Sequence, residues 1–156
     1  MAVASAGQLA KFPPFDRLTP EQRDLVTSAA RPAGFAAGEV LFSAGSPAAG
    51  CWLLEQGQVA LGTDVPGRGL VVVQTLGPGD VLGWSWLVPP RRWHYTAAAS
   101  TAVTAIEIDT DRLLELADAD PALGYPLSVG FIEIVVARLQ NTRSRLLDLY
   151  GSPRAR

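Results

Sequence analysis

Between Gly34 and Asp109 the apolar positions fall into short runs broken by glycine and proline. Candidate strands are Glu39–Phe42, Cys51–Glu55, Gln58–Thr63, Leu70–Leu76, Val81–Leu82, Tyr95–Ala98 and Val103–Ile108. Turn signals separate them at Ala37-Gly38, Gly45-Ser46-Pro47, Gln56-Gly57, Pro66-Gly67-Arg68-Gly69 and Gly77-Pro78-Gly79-Asp80. Short strands at this spacing predict a sandwich or barrel. Positive φ is expected at Gly38, Gly45, Gly57 and Gly79, where tight turns need it. On the N-terminal side, Thr19-Pro20-Glu21-Gln22 reads as a helix start, with Thr19 as N-cap, Pro20 in the first turn and Gln22 closing a capping box. Leu25 and Val26 of that helix are expected to face the core, and the helix to end near Ala30.

After Thr110 the period changes. Asp111–Ala117 predicts a short helix, and Asp120-Pro121 opens a long one running to about Tyr150. Along it, Tyr125, Ser128, Ile132, Val135, Leu139, Thr142, Leu146 and Leu149 alternate in steps of three and four, which is a heptad seam. Such a stripe packs either on the chain's own sheets or on a partner helix. The helix outreaches a small barrel, which favours the partner. Thr142 in an apolar seam is a cost unless it finds a hydrogen-bond partner. The pattern divides the chain into a flexible N-terminal arm (1–11), one domain including the long helix (12–150), and a short tail (151–156).

Composition narrows the function. With 48% hydrophobic and 18% charged residues, the 156-residue chain is globular. A net charge of −2 supplies no sequence-wide basic field for a phosphate backbone. Arg138, Arg143, Arg145, Arg154 and Arg156 gather late in the chain and read as the solvated face and exit of the long helix. One cysteine allows no internal disulfide, and one histidine (His94) allows no histidine-pair metal site, so no metal is expected. A cupin-like enzyme needs clustered metal ligands. Cys51 opens an apolar strand and reads as an inert core thiol rather than a nucleophile. The sequence thus predicts a non-enzyme. The first residues show no signal peptide and the chain no 18-residue apolar span, so a cytoplasmic protein without a membrane segment is expected.

Four phrases carry a family resemblance: Phe35-x-x-Gly38-Glu39-Val40-Leu41-Phe42-x-x-Gly45, Trp52-Leu53-Leu54-Glu55-x-Gly57-Gln58-Val59, Leu76-Gly77-Pro78-Gly79-Asp80-Val81-Leu82-Gly83 and Arg138-Leu139-Gln140-Asn141-Thr142. Their order resembles the cyclic-nucleotide-binding domain of the catabolite-activator (Crp/Fnr) family. The resemblance implies an α+β fold: an antiparallel β-roll (a jelly-roll-like double-stranded β-helix) with an N-terminal helix and a long C-terminal dimerisation helix. No helix-turn-helix follows that helix within these residues, so direct sequence-specific DNA binding is not expected.

The stretch Leu76–Ala99 resembles the family's phosphate cassette with its acid missing. The family's glutamate accepts the ribose hydroxyl; here Trp84 stands in its place, and an indole only donates. Trp86 stands where a small residue is usual. The family's arginine falls in register on Trp93, which leaves Arg92, or Arg91, as the guanidinium for a phosphate. Gly83 and Ser85 would offer backbone N–H groups, with a short helical turn aiming them. Thr142 matches the long-helix threonine that reaches an adenine. The implied ligand set is therefore Gly83, Trp84, Ser85, Arg91, Arg92 and Thr142. No cofactor is certain; a cyclic nucleotide is the ligand implied. Two functions remain open. One is a stand-alone small-molecule sensor, binding cyclic AMP or cyclic GMP atypically and acting through an effector protein. The other is a ligand-free homodimeric interaction module whose pocket Trp84, Trp86 and Trp93 fill.

Overall fold

A capping box opens each of the two N-terminal helices. In α1 (Ala6–Leu9), Ser5 and Gln8 satisfy each other's backbone N–H. In α2 (Pro20–Val26), the Gln22 N–H donates to Thr19 Oγ1 at 3.1 Å and the Thr19 N–H to Gln22 Oε1 at 2.9 Å. The sequence showed no helical period before residue 12, yet Leu9 is fully buried. On α2, Val26 is buried as expected but Leu25 is half exposed. The computed structural model describes residues 4–151, so the tail beyond residue 151, with Arg154 and Arg156, lies outside the described residues.

Eight strands follow: β1 (Ala30–Phe35), β2 (Val40–Phe42), β3 (Gly50–Gln56), β4 (Val59–Val65), β5 (Gly69–Leu76), β6 (Val81–Leu82), β7 (Thr96–Ala99) and β8 (Val103–Asp109). Seven lie within two residues of the predicted runs; β1 was not predicted. It contains Pro32 and Gly34, which argue against a strand, but it pairs only with β8, and an edge tolerates a proline. The predicted turn glycines 38, 45, 57 and 79 all have positive φ. Gly57 is further constrained, because a Cβ there would lie 2.1 Å from the Ala102 carbonyl oxygen.

The strands do not close into the predicted roll or barrel. They form two open four-stranded antiparallel sheets, ordered β1-β8-β3-β6 and β2-β7-β4-β5. The edges explain this. β6 is two residues long, β2 is three with a register irregularity, and β1 carries a proline. Such edges present too few regular donors and acceptors to pair onward. What joins the sheets is apolar packing: Leu53, Leu54 and Ile106 of one and Val59, Leu61 and Ala97 of the other belong to one buried cluster.

Asp109 caps α3 (Thr110–Ala119) by accepting from the Arg112 N–H at 3.1 Å. The long helix, α4 (Pro121–Gly151), has two unlike halves. Its first half buries Leu123, Leu127 and Phe131 against the domain, with Phe131 edge-on to Phe15 and Trp86. From Leu139 onward every described side chain is exposed. Much of the heptad seam is open to solvent: Tyr125, Ile132, Leu139, Leu146 and Leu149 are each at least half exposed. Val135, Leu139, Thr142, Leu146 and Leu149 border a groove beside the β4–β5 side of the domain without being buried by it. Against expectation, α4 is long and apolar enough, by length and composition alone, to pass as a membrane span. Its buried first half is nonetheless part of the domain core.

Gly130 brings α4 onto the N-terminal segment, since a Cβ there would sit 1.9 Å from Pro14 Cβ. Gly130→Ala is expected to destabilise the domain by about 1–3 kcal/mol through overpacking. Gly7→Ala, in a short exposed helix with room for a Cβ, is expected to be neutral or better. Thermal denaturation of the two variants side by side checks this.

Candidate ligand site

The turn before the cassette is braced from within. Asp80 Oδ2 accepts from the Gly77 N–H at 2.8 Å, the Gly79 N–H donates to the Leu54 carbonyl and the Leu54 N–H to the Asp80 carbonyl. β6 then delivers Gly83 with φ +101. A Cβ at Gly83 would meet the Trp93 ring at 2.9 Å and the Gly50 carbonyl oxygen at 3.2 Å. The space beside this glycine is therefore taken by an indole. Trp93 is buried and stacks on Phe42 with ring centroids 3.7 Å apart and an interplanar angle of 12°. Trp52 packs beside the pair, 5.6 Å from Phe42 and 6.0 Å from Trp93. Its Nε1–H is buried without a partner, which costs about 1–3 kcal/mol.

Ser85–Leu87 form a single 3-10 turn after Trp84. Trp86 is buried and its Nε1–H donates to the Gly83 carbonyl at 3.0 Å. Trp84 is half-buried and stacks on His94 at 5.5 Å. Ser85 Oγ lies 3.0 Å from His94 Nδ1. Gly83, Trp84, Ser85, Trp93, His94 and Arg138 border a cavity of about 20 Å³. That volume admits about one water molecule, whereas ligand pockets measure roughly 300–1,000 Å³.

Of the six sequence-predicted residues, Gly83, Trp84 and Ser85 come together at this cavity. Arg91 and Arg92 do not border it. Arg91 is exposed in a left-handed conformation (φ 57). Arg92 is exposed and its Nη1–H donates to the Gly45 carbonyl at 2.8 Å. Thr142 is exposed on α4, with its hydroxyl turned back to the Arg138 carbonyl at 3.0 Å. It borders a second, larger groove of about 510 Å³ between α4 and the β4–β5 side of the domain, lined also by Trp84, Tyr95 and Arg138.

Arg138 is the residue that sequence reasoning misplaced. Far from the solvated face, it is half-buried, borders both the cavity and the groove, and donates through Nη2 to the Val81 carbonyl. Burial lowers its pKa below the usual arginine value, and the nearby Asp80 charge acts the other way. Its helical register carried the signal: it follows Phe131 by seven and Ile134 by four, so it shares their inward face. Cys51 is fully buried, and burial pushes its thiol pKa up, which suits a core thiol. Among the described residues no group of three or more histidine, cysteine, aspartate or glutamate side chains could hold a metal ion.

The comparisons agree with this geometry. Residues 33–120, more than half of the chain, match the cyclic nucleotide-binding domain family, and the chain belongs to it. The chain is 25% identical over 141 residues to the CRP-like cAMP-activated global transcriptional regulator of Mycobacterium tuberculosis (strain ATCC 25618 / H37Rv), covering 90% of this chain and 61% of that one. It is 30% identical over 119 residues to the HTH-type transcriptional regulator Cmr of Mycobacterium tuberculosis (strain CDC 1551 / Oshkosh), covering 76% and 47%. The chain thus spans less than two thirds of the length of these relatives. Among solved structures, a candidate cyclic nucleotide-binding protein from Geobacter metallireducens GS-15 superposes with a TM-score of 0.79 at 29% identity, covering 87% of this chain and 98% of that one. A cyclic nucleotide-binding domain from Methylobacillus flagellatus KT gives 0.76 at 20% identity, over 89% and 78%, and so shows the fold alone. Members of the catabolite-activator branch are regulators rather than catalysts, and this chain is a regulatory domain of that type.

Filling by Trp93 makes a stability prediction. Trp93→Ala removes a buried indole from a three-ring aromatic cluster and is expected to cost about 3–5 kcal/mol, read as a lowered midpoint in chemical denaturation.

Proposed function

We propose that this domain works as a dimeric interaction module whose nucleotide pocket is closed by its own aromatic side chains. The observation that carries this reading is the 20 Å³ cavity beside Gly83, faced by Trp93 and bordered by Trp84 and His94. Three further features support it. No carboxylate stands at Trp84 to accept a ribose hydroxyl. Arg92 bonds the Gly45 carbonyl at the loop surface. The ligand residues implied by the resemblance are split between the cavity, the loop and the helix. In this reading Gly83, Trp84 and Ser85 are packing residues, Arg91 and Arg92 shape the loop, and Thr142 belongs to the helix seam.

The exposed apolar seam of α4 is the interface. Two copies pairing along Ile132, Leu139, Leu146 and Leu149 would bury side chains now open to water. The family's use of its C-terminal helix for dimerisation supports the same arrangement. An effector protein would read the paired helices, and the domain would act in the cytoplasm.

Calorimetric titration with cyclic AMP and cyclic GMP to millimolar concentrations is expected to give no saturable heat and no thermal shift. Saturable binding that Arg92→Ala abolishes would overturn the closed-pocket reading. For the interface, Leu139→Glu is expected to convert a folded dimer into a folded monomer in sedimentation velocity. An unchanged dimer mass would remove the seam from the interface.

A further inference from the structure

Arg91 stands where a glycine would fit more easily. Among the described residues it alone of the non-glycines has a positive φ, 57. That left-handed conformation is strained for a residue with a Cβ and open to glycine. Its neighbours hold it there. The Arg91 N–H donates to the Val88 carbonyl at 3.0 Å, and the Arg91 carbonyl accepts from the Ala48 N–H at 2.8 Å. The Gly45 N–H reaches the Trp93 carbonyl, and the Trp93 N–H the Ser46 carbonyl. The Trp93 indole is buried, so the loop is anchored on the core, while Val88, Pro89, Pro90, Arg91 and Arg92 are exposed. A backbone fixed in this way has little freedom left to lose on binding.

The exposed tip is cationic and lacks counter-charge. Arg91 and Arg92 are adjacent, with Cα atoms about 3.8 Å apart. The ion pairs among the described residues are Arg17–Glu133, Arg31–Glu107 and Arg112–Glu115, and neither tip arginine takes part in one. The two segments that build the tip, residues 43–50 and 81–99, contain no aspartate or glutamate. Arg92 donates one N–H to the Gly45 carbonyl, and a guanidinium has five. The whole chain carries −2, so this positive charge is local. Half-exposed Val88 and two prolines give the tip an apolar flank. Neither arginine borders the cavity beside Gly83.

We propose that this tip docks an acidic segment of a partner protein, its carboxylates paired with Arg91 and Arg92 and an apolar side chain set against Val88 and Pro89. A planar guanidinium fork takes a carboxylate through both oxygens. An arginine kept at a left-handed position is the kind of local strain that gathers at functional sites. Glycine there would keep the backbone and lose the contact. Two charges with an apolar flank match a short protein segment. A nucleic-acid backbone or an anionic lipid surface calls for a broader basic field than two side chains supply. The proposal rests on neither the closed cavity nor helix pairing, because Arg91 and Arg92 belong to neither.

The test follows the fluorescence anisotropy of a fluorescein-labelled peptide of Glu-Leu repeats titrated with the full chain, and of its counterpart with glutamine for glutamate. The acidic peptide is expected to saturate, and the glutamine peptide to bind about tenfold or more weakly, as for lost charged hydrogen bonds. Exchanging both arginines, Arg91→Gln with Arg92→Gln, is expected to erase that preference. Arg68→Gln, at an exposed arginine of the β4–β5 turn, is expected to leave it intact. Arg91→Gly separates contact from architecture: it is expected to keep or raise the thermal midpoint, since strain is released, while weakening the acidic peptide. Circular dichroism confirms that each variant is folded, and Arg91→Gly decides the matter should the double variant not fold. No saturation by the acidic peptide, equal affinity for the two peptides, or undiminished binding by the double variant would overturn the docking surface. So would a lowered midpoint of Arg91→Gly with acidic-peptide binding intact, or saturation by labelled oligothymidylate or phosphatidylserine vesicles in place of the peptide. Sedimentation and cyclic-nucleotide titration of the same samples read the pairing and the cavity separately.

Discussion

The contact on which the site depends is the stack of Trp93 on Phe42 beside Gly83. A glycine with φ +101 is the kind of backbone that lets an anion approach closely. Here the approach is made by an indole instead. With Trp93 in that place, Phe42 and Trp52 complete an aromatic stack, and Trp86 ties its ring nitrogen to the Gly83 carbonyl. These rings are rigid and bury large areas. They convert a turn shaped like a ligand cradle into part of the core. The orphaned Nε1–H of Trp52 is a local cost of the arrangement, outweighed by the apolar burial around it.

The same economy of side chains divides α4. Its inward face, through Leu127, Phe131, Ile134 and Arg138, holds the helix on the domain, and glycines at 124 and 130 let its backbone come close. Past Arg138 its side chains are exposed, and what still ties it to the sheet is the Arg145 bond to the Val73 carbonyl. Helix propensity alone sustains such a segment poorly, because most helical stability in proteins comes from packing of an apolar face. An exposed half so rich in leucine therefore implies contacts beyond the single chain.

Much of this fold was legible in the sequence. Glycine-punctuated runs located seven of eight strands, and Thr19-Pro20-Glu21-Gln22 located the start of α2. What failed has physical causes. β1 was hidden because Pro32 and Gly34 weaken a strand signal, and only its edge position makes them tolerable. The closed roll was expected from resemblance, but closure depends on which strands end as edges, and that is visible only once the pairing is known. The site was half legible. Trp84 in an acid's place, and a tryptophan in register with the expected arginine, were readable as departures from the family's cassette, which left an atypical sensor and a filled pocket both open. That Trp93 turns inward while Arg92 turns to Gly45 was not, because adjacent residues on an irregular loop have no fixed facing. Arg138 was misjudged for a different reason: its charge suggested solvent, while its helical register pointed inward.

Arg138 also joins the parts mechanically. Its guanidinium reaches the Val81 carbonyl, two residues before Gly83, while its backbone belongs to α4 and its carbonyl accepts from Thr142. A shift of α4 along or away from the sheet must therefore break the bond to β6 or drag β6 with it. β6 pairs with β3 through two residues, and the preceding turn adds two backbone bonds to Leu54. Helix position and cassette position are thus linked by one charged hydrogen bond, whether or not a nucleotide ever enters the closed cavity.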